Sequence, residues 1–535
     1  MLPTGGDAPE PRGKLARATA TVSALNLVSR ATGLFRVVAM SAALGATALG
    51  DTYQAANLVS NILFELLAGG LLSAALVPSF VELIDSGRRH EAARLGSVLL
   101  GAALAALTVV VALAVLLAPQ LMALLTLGVT DDVQREAQRE LGVFLLWFFL
   151  PQVLLYAVGS VATALLHADR RFIAAAVAPV FNNVVVIGAM VAFWAMHGDT
   201  PSLDLSLAAK LILGSGATVG VLAMTAVPLL AARRGGLPVG VSWQPRDPRL
   251  LPLARRGAWA AGHLGLNQAF AMATVVVAGG VAGGVVAYQV AFTFFLLPYA
   301  LLANPLTTTL YPRLAAGAAA GRSGALTADL TWGLRVMAFT LVPASFLIAA
   351  LSRPLLEVIR LGNLDVAGAS LVASATSGYM AGLLGYAAFF LLTRAAYAVG
   401  DTRSPTLVSL GATAVGVVAL VVGTELVDGS ARVVVLGLVH AGVVTASSVV
   451  LLRVLRPQIG RIHAMRPLLS DLGAGALAGA SAWFVGDAVG VGSRPVAAAA
   501  LVAGGMVGLL VYVAAQAALG STELRELRRP GSVLP

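Results

Sequence analysis

The 535-residue chain has no cysteine, only two lysines (Lys14 and Lys210) and charged side chains at 11% of its positions. Without cysteine there is no disulfide framework, no thiolate metal site and no thiol nucleophile. The six histidines show no zinc-pair spacing, and HExxH and GxxxxGK[ST] are both missing, which excludes those hydrolytic and nucleotide-driven chemistries. Gly214 to Gly216, an isolated GSG, reads as helix-packing glycine. No catalytic residue, metal or cofactor is expected. Charge is scarce because 58% of the residues are hydrophobic, against about 25% charged and 45 to 50% apolar in soluble domains. A mean hydropathy of +0.88 over the whole chain spreads that excess across many segments. The composition is that of a polytopic membrane protein. The net charge of +10 then reads as basic cytoplasmic loops, with no nucleic-acid partner.

Crossing a hydrocarbon core of ~30 Å takes about 20 residues of helix. Fourteen apolar runs of that size are present, centred near Leu34, Leu66, Val110, Leu150, Val185, Leu222, Ala269, Leu297, Leu341, Leu384, Ala414, Leu438, Ala478 and Val507. They are too long and too irregular in alternation for barrel strands. The predicted fold is an all-α integral membrane protein of about fourteen transmembrane helices. Basic clusters recur on one side, at Arg12 to Arg17, Arg88 to Arg94, Arg170 and Arg171, Arg233 to Arg256, Arg456 to Arg466 and Arg525 to Arg529. The other side holds Asp131, Asp132, Glu136 and Glu140. The positive-inside rule therefore predicts both termini in the cytoplasm, and the N-terminus reads as a short tail without a signal peptide. The longest polar connection follows the sixth run. It predicts a tail over 1–16, a six-helix lobe over 17–232, a cytoplasmic loop over 233–256, a second six-helix lobe over 257–458, a C-terminal helix pair over 459–520 and a tail over 521–535. Two repeated bundles with a path between them are a common transporter plan.

Ionisable groups inside spans cost at least ~2.5 to 3.5 kcal/mol each, and so they mark pathways. Span one carries Arg30 and Arg36 on either side of Gly33; span two carries Asn57, Asn61 and Glu65 at intervals of four, with Asp51 at its outer end. Six residues at 100° each place the two arginines well apart around a regular helix, so they meet one ligand only if the helix bends or the ligand is large. A guanidinium donates a bidentate fork and stays charged, which suits a diphosphate. The same residues also allow an ionic lock of Arg30 and Arg36 with Asp51 and Glu65, a snorkelling arginine, or a proton or cation site at Glu65. Arg255, His263 and Asn267 at the start of span seven form a candidate second wall of the cavity, although a hydrogen-bonded interior histidine is the commoner case.

The stretches SRATGLFRVVAMSAALGA, DTYQAANLVSNILFELLAGGLLSAALVPSF, ALLHADRRFIAAAVAPVFNNVVVI and LLTRAAYAVGDTRSPT resemble, in order, motifs of the MurJ/MviN lipid II flippase family, within the multidrug/oligosaccharidyl-lipid/polysaccharide exporter superfamily. The resemblance implies a flippase that moves the undecaprenyl-diphosphate-linked peptidoglycan precursor by alternating access. Arg30 and Arg36 would contact the diphosphate or head group, Asp51 would belong to the gate, and membrane lipids and cell-wall synthesis proteins would be its partners. Val37, Phe64 and Thr293 stand where the family pattern carries an acidic residue, an arginine and an arginine, which points to a divergent, actinobacterial-like branch. The alternatives are a flippase for another polyprenyl-diphosphate glycan such as an exopolysaccharide unit, a cation-coupled drug antiporter working through Glu65 and Asp51, and a non-transporting cell-wall scaffold.

Overall fold

In lipid, every backbone polar group must be satisfied within the protein, so long apolar runs become helices. A computed structural model of the chain describes residues 12–66, 73–198, 202–248, 265, 268–462 and 465–527. The first half comprises α1 (Arg12–Leu44), α2 (Ala48–Phe64), α3 (Ser73–Asp85), α4 (Arg89–Leu116), α5 (Ala118–Leu125), α6 (Asp132–Phe149), α7 (Gln152–Ala168), α8 (Phe172–His197) and α9 (Leu207–Arg234). The second begins with α10 (Gln268–Ala278). It continues with α11 (Gly284–Pro298), a π-helical turn (Tyr299–Ala303), α12 (Asn304–Ala319), α13 (Ser323–Ala350), α14 (Ser352–Ile359), α15 (Val366–Met380), α16 (Leu383–Ala398), α17 (Arg403–Glu425) and α18 (Ala431–Ile459). A closing pair, α19 (Met465–Val489) and α20 (Arg494–Ala518), precedes the short α21 (Thr522–Leu527).

Eleven described segments are long and apolar enough to cross a membrane, and the pair α15/α16, bent by 46°, makes a twelfth. Segments α2/α3 and α10 stand in chain order at the second and seventh of the fourteen expected passes. The two halves repeat one plan. The fourth pass is interrupted at Leu150 and Pro151, the eighth by its π-helical turn and the tenth at Ala381 and Gly382, and a short eight-residue helix follows the third (α5) and the ninth (α14).

The break in the fourth pass has a local cause. Pro151 has no N–H to donate and leaves carbonyls of α6 without helical partners. The Ser60 hydroxyl donates to the Phe149 carbonyl at 2.8 Å and the Thr218 hydroxyl to that of Phe148 at 2.9 Å, which restores the bonds from α2 and α9. Turns are closed by side-chain caps: Thr47 on α2, Asp131 on α6, Ser206 on α9 and Asp365 on α15 each accept from a backbone N–H in the first turn. Helices α1 to α9 pack chiefly among themselves, as do α11 to α18, with α2 and α1 touching α11 between them; α19 and α20 pack on each other and against α13 and α14.

Candidate functional site

The Asp51 carboxylate sits at the start of α2, 4% exposed, and accepts from the backbone N–H groups of Gly283 at 2.8 Å and Val286 at 2.9 Å. These are donors at the start of α11, which the helix itself leaves unpaired. A carboxylate there also meets the positive end of the helix dipole. Gly283 has φ +76°, and a Cβ on it would lie 2.3 Å from the Ala46 carbonyl oxygen, so both its conformation and its close approach require glycine. The α1–α2 turn is held from two more sides. The Gln138 amide of α6 donates to the Ala48 carbonyl at 3.2 Å. Asn363, between α14 and α15, donates its backbone N–H to Ala42 at 2.7 Å and its side-chain amide to Ala43 at 2.8 Å. Elements of both halves thus close on residues 42–51.

Arg30 and Arg36 lie further down α1. At 1.5 Å per residue they are about 21 and 12 Å along the axis from Leu44. The helix is continuous from Arg12 to Leu44, so the six-residue spacing places the two arginines on separate faces. Asn183 of α8 fixes the rotation of α1 by donating to the Ser29 carbonyl at 3.3 Å and to the Thr32 hydroxyl at 3.0 Å. Arg30 is exposed. Arg36 is half-buried; its Nε–H is buried without a hydrogen-bond partner, and its charge acts on the hydroxyls of Tyr53 and Tyr156. Neither arginine forms an ion pair with Asp51 or Glu65 among the described residues, so the ionic lock that the sequence allows is not made. Asp51 is occupied by α11 instead.

Along α2, Asn57 and Asn61 are half-buried and Glu65 is exposed. Phe64, where the family pattern expects an arginine, sets its ring centroid 4.2 Å from that of Tyr156, tilted by 37°. The candidate wall formed by Arg255, His263 and Asn267 lies outside the described residues. Asn363, Tyr156 and Asn183 escaped the sequence reading. Only the Gly-Asn turn signal at Gly362 and Asn363 pointed toward any of them.

A family model described as Lipid II flippase MurJ matches residues 40–517, which is most of the chain. The chain belongs to the MurJ family. Curated MurJ relatives include a probable lipid II flippase MurJ of Rhizobium tropici, 27% identical over 390 residues, which span 72% of this chain and 71% of that protein. The lipid II flippase MurJ of Burkholderia cenocepacia is 28% identical over 408 residues, covering 74% and 76%. Among solved structures, a lipid II flippase MurJ in an inward closed conformation superposes with a TM-score of 0.74 at 17% identity, covering 95% of this chain and 99% of that one. An inward-facing multidrug resistance MATE family transporter of the MOP superfamily gives 0.65 at 13% identity, covering 82% and 98%. The MurJ-like fold thus spans all but a small part of the chain, including the closing helix pair.

Proposed function

We propose that this chain translocates lipid II, or a closely related undecaprenyl-diphosphate-linked glycan, across the bacterial inner membrane. Two bundles, 17–232 and 257–458, rock about a path between them. Residues 233–256 join the bundles, and 459–520 flank the second. Both termini and the basic loops face the cytoplasm, so the Asp51 end is the outer gate.

The observation that carries the reading is the contrast along α1 and α2. One end is sealed by Asp51, while Arg36, about 12 Å along α1 from its end at Leu44, presents a buried guanidinium N–H with no partner. A diphosphate supplies the missing acceptor and opposite charge without a metal. Arg30, exposed and on another face, meets the sugar-peptide part of a head group too large to sit on one side of the helix. Asn57, Asn61 and Glu65 line the α2 side of the path, and Arg255, His263 and Asn267 contribute from the seventh pass. The polyprenyl tail stays in lipid. The membrane potential, worth about 2.3 kcal/mol per charge per 100 mV, biases the return of the cationic path. Transport breaks no bond, so no catalytic residue or cofactor is assigned.

The test is a bacterium depleted of its own lipid II flippase and expressing this chain, scored by how much lipid II an externally added lipid II hydrolase can reach. Restoration by the wild type, lost in Arg30→Ala or Arg36→Ala at equal membrane levels, supports the reading. No restoration by well-inserted wild type turns it to another polyprenyl-linked glycan.

A further inference from the structure

The second bundle holds an ionisable group that the flippase reading does not use. His440 lies nine residues into α18, about 14 Å along the axis from its start. It is 9% exposed, and its Nε2 is buried with no hydrogen-bond partner. Five rings surround it: Tyr379 at 5.2 Å, Phe295 at 5.4 Å, Phe292 at 5.6 Å, Phe270 at 6.0 Å and Tyr386 at 6.3 Å between centroids. Phe292 and Phe295 cross the imidazole at 87° and 89°. That edge-to-face arrangement lets a ring edge meet the negative face of a π-system.

The cage stands at a hinge. Tyr379 is the penultimate residue of α15, Tyr386 lies in the first turn of α16, and between them the tenth pass bends by 46°. One turn before His440, a Cβ on Gly437 would lie 2.5 Å from the Tyr379 backbone nitrogen, so α18 touches the hinge backbone directly. Among the described residues, no carboxylate faces the imidazole from any helix packed on α18. Helix α15 contributes Tyr379 and α16 Tyr386, with Tyr288 of α11 against Tyr379 at 6.0 Å, while Arg394 of α16 lies over the Tyr311 ring. On α17, Arg403 and Glu425 stand only at the two ends. On α13, Asp329 is paired to Arg313 and Arg335 to Glu523. From α2, the charge of Glu65 acts on Tyr386.

We infer that His440 is a proton-binding site whose occupancy sets the bend of the tenth pass. Aromatic faces favour a cation when it is desolvated, but an imidazolium donates from both ring nitrogens, and Nε2 has nowhere to donate in the bent, closed cage. A proton taken up at Nε2 from water that enters as the hinge opens therefore favours the open arrangement, in which the imidazolium donates to that water. Loss of that proton to water lets the cage close again. The ligand is a proton, and the inference does not depend on which lipid the protein carries.

The absence of native cysteine permits clean spin labelling of the full-length protein in nanodiscs at Val366→Cys and Leu407→Cys, exposed positions on either side of the broken pass. Double electron–electron resonance distances are recorded from pH 8 down to about 4, reaching below the ordinary histidine range because burial opposes the charged imidazole. The expected result is a second distance population that grows as pH falls and is absent in both His440→Asn and His440→Phe. A distribution in the labelled wild type that ignores pH overturns the inference. So does a pH response that persists in either well-folded variant. Lipid II accessibility plays no part in this readout, so failure of the flippase reading would be seen separately.

Discussion

The carboxylate of Asp51 on α2 caps α11 through the backbone N–H groups of Gly283 and Val286, at 2.8 and 2.9 Å. These are bonds between residues 232 and 235 apart in sequence, and they hold the two halves together at one end. Asp51→Ala leaves those two buried donors unpaired, at about 1 to 3 kcal/mol each. The seal should loosen, and a cysteine placed at Ala282 should react faster with an externally added impermeant maleimide. Asp51→Asn keeps one acceptor oxygen and should fall between the two. Equal labelling rates in all three proteins would show that the cap does not hold the gate.

Arg36 and Glu65 separate the flippase reading from the antiporter reading. Losing the Arg36 guanidinium should cut lipid II exposure about tenfold or more, the equivalent of 1.4 kcal/mol. Arg36→Lys should restore only part of it, because an ammonium lacks the planar fork. Glu65→Gln should be milder than Arg36→Ala. The reverse order, with export of cationic drugs lost in Glu65→Gln, would favour a cation-coupled antiporter.

Much of this architecture is legible in the sequence, because a pass through lipid needs both length and apolarity and leaves little room for ambiguity. The side of α1 on which Arg36 falls also follows from 100° per residue, and the structure keeps that helix continuous. What stayed hidden was the pairing across the seal. Asp51 stood out as a charge at the end of a span, but its partners are backbone N–H groups, which every residue carries and no motif announces. The break at Pro151 is visible as a proline. The one at Ala381 and Gly382 rests on tertiary contacts with α18, and a single glycine among many is a weak signal. His440 in an apolar run reads as an ordinary core residue until its ring of aromatics is seen.

A bidentate pair fastens the loop side of the first bundle. Arg89, opening α4, donates both terminal nitrogens to Asp169 between α7 and α8, and donates to the Gly235 carbonyl at 3.0 Å. Asp169 is only 10% exposed, whereas Arg89 is 39% exposed and therefore partly screened. Arg89→Ala and Asp169→Ala should each lower stability, with a coupling of about 1 kcal/mol in a double-mutant cycle of chemical denaturation. Strict additivity would show that the pair contributes nothing.

Asp401, ahead of α17, accepts from the Ser404 hydroxyl at 2.6 Å and from the backbone N–H groups of Ser404 at 2.9 Å and Arg403 at 3.1 Å. These bonds, that of the Ser404 hydroxyl foremost, hold its carboxyl below the ordinary aspartate value of 3.8. A depressed folded-state value gives stability that is full above the unfolded pKa and is lost as pH falls through the folded one. Asp401→Asn should therefore lower stability at pH 7, and the difference should shrink once the pH drops below about 4. A penalty equally large at both pH values would point to shape, not charge.

The most direct test of alternating access locks the seal. Cysteines replacing Ala46 and Ala282, the latter beside Gly283, are introduced into this cysteine-free chain and expressed in cells depleted of their own lipid II flippase. Lipid II accessible to an external hydrolase is then scored before oxidation, after oxidation and after reduction. Accessibility should collapse on disulfide formation and return with reductant. Full accessibility with the protein completely cross-linked would contradict a path that opens at the Asp51 end.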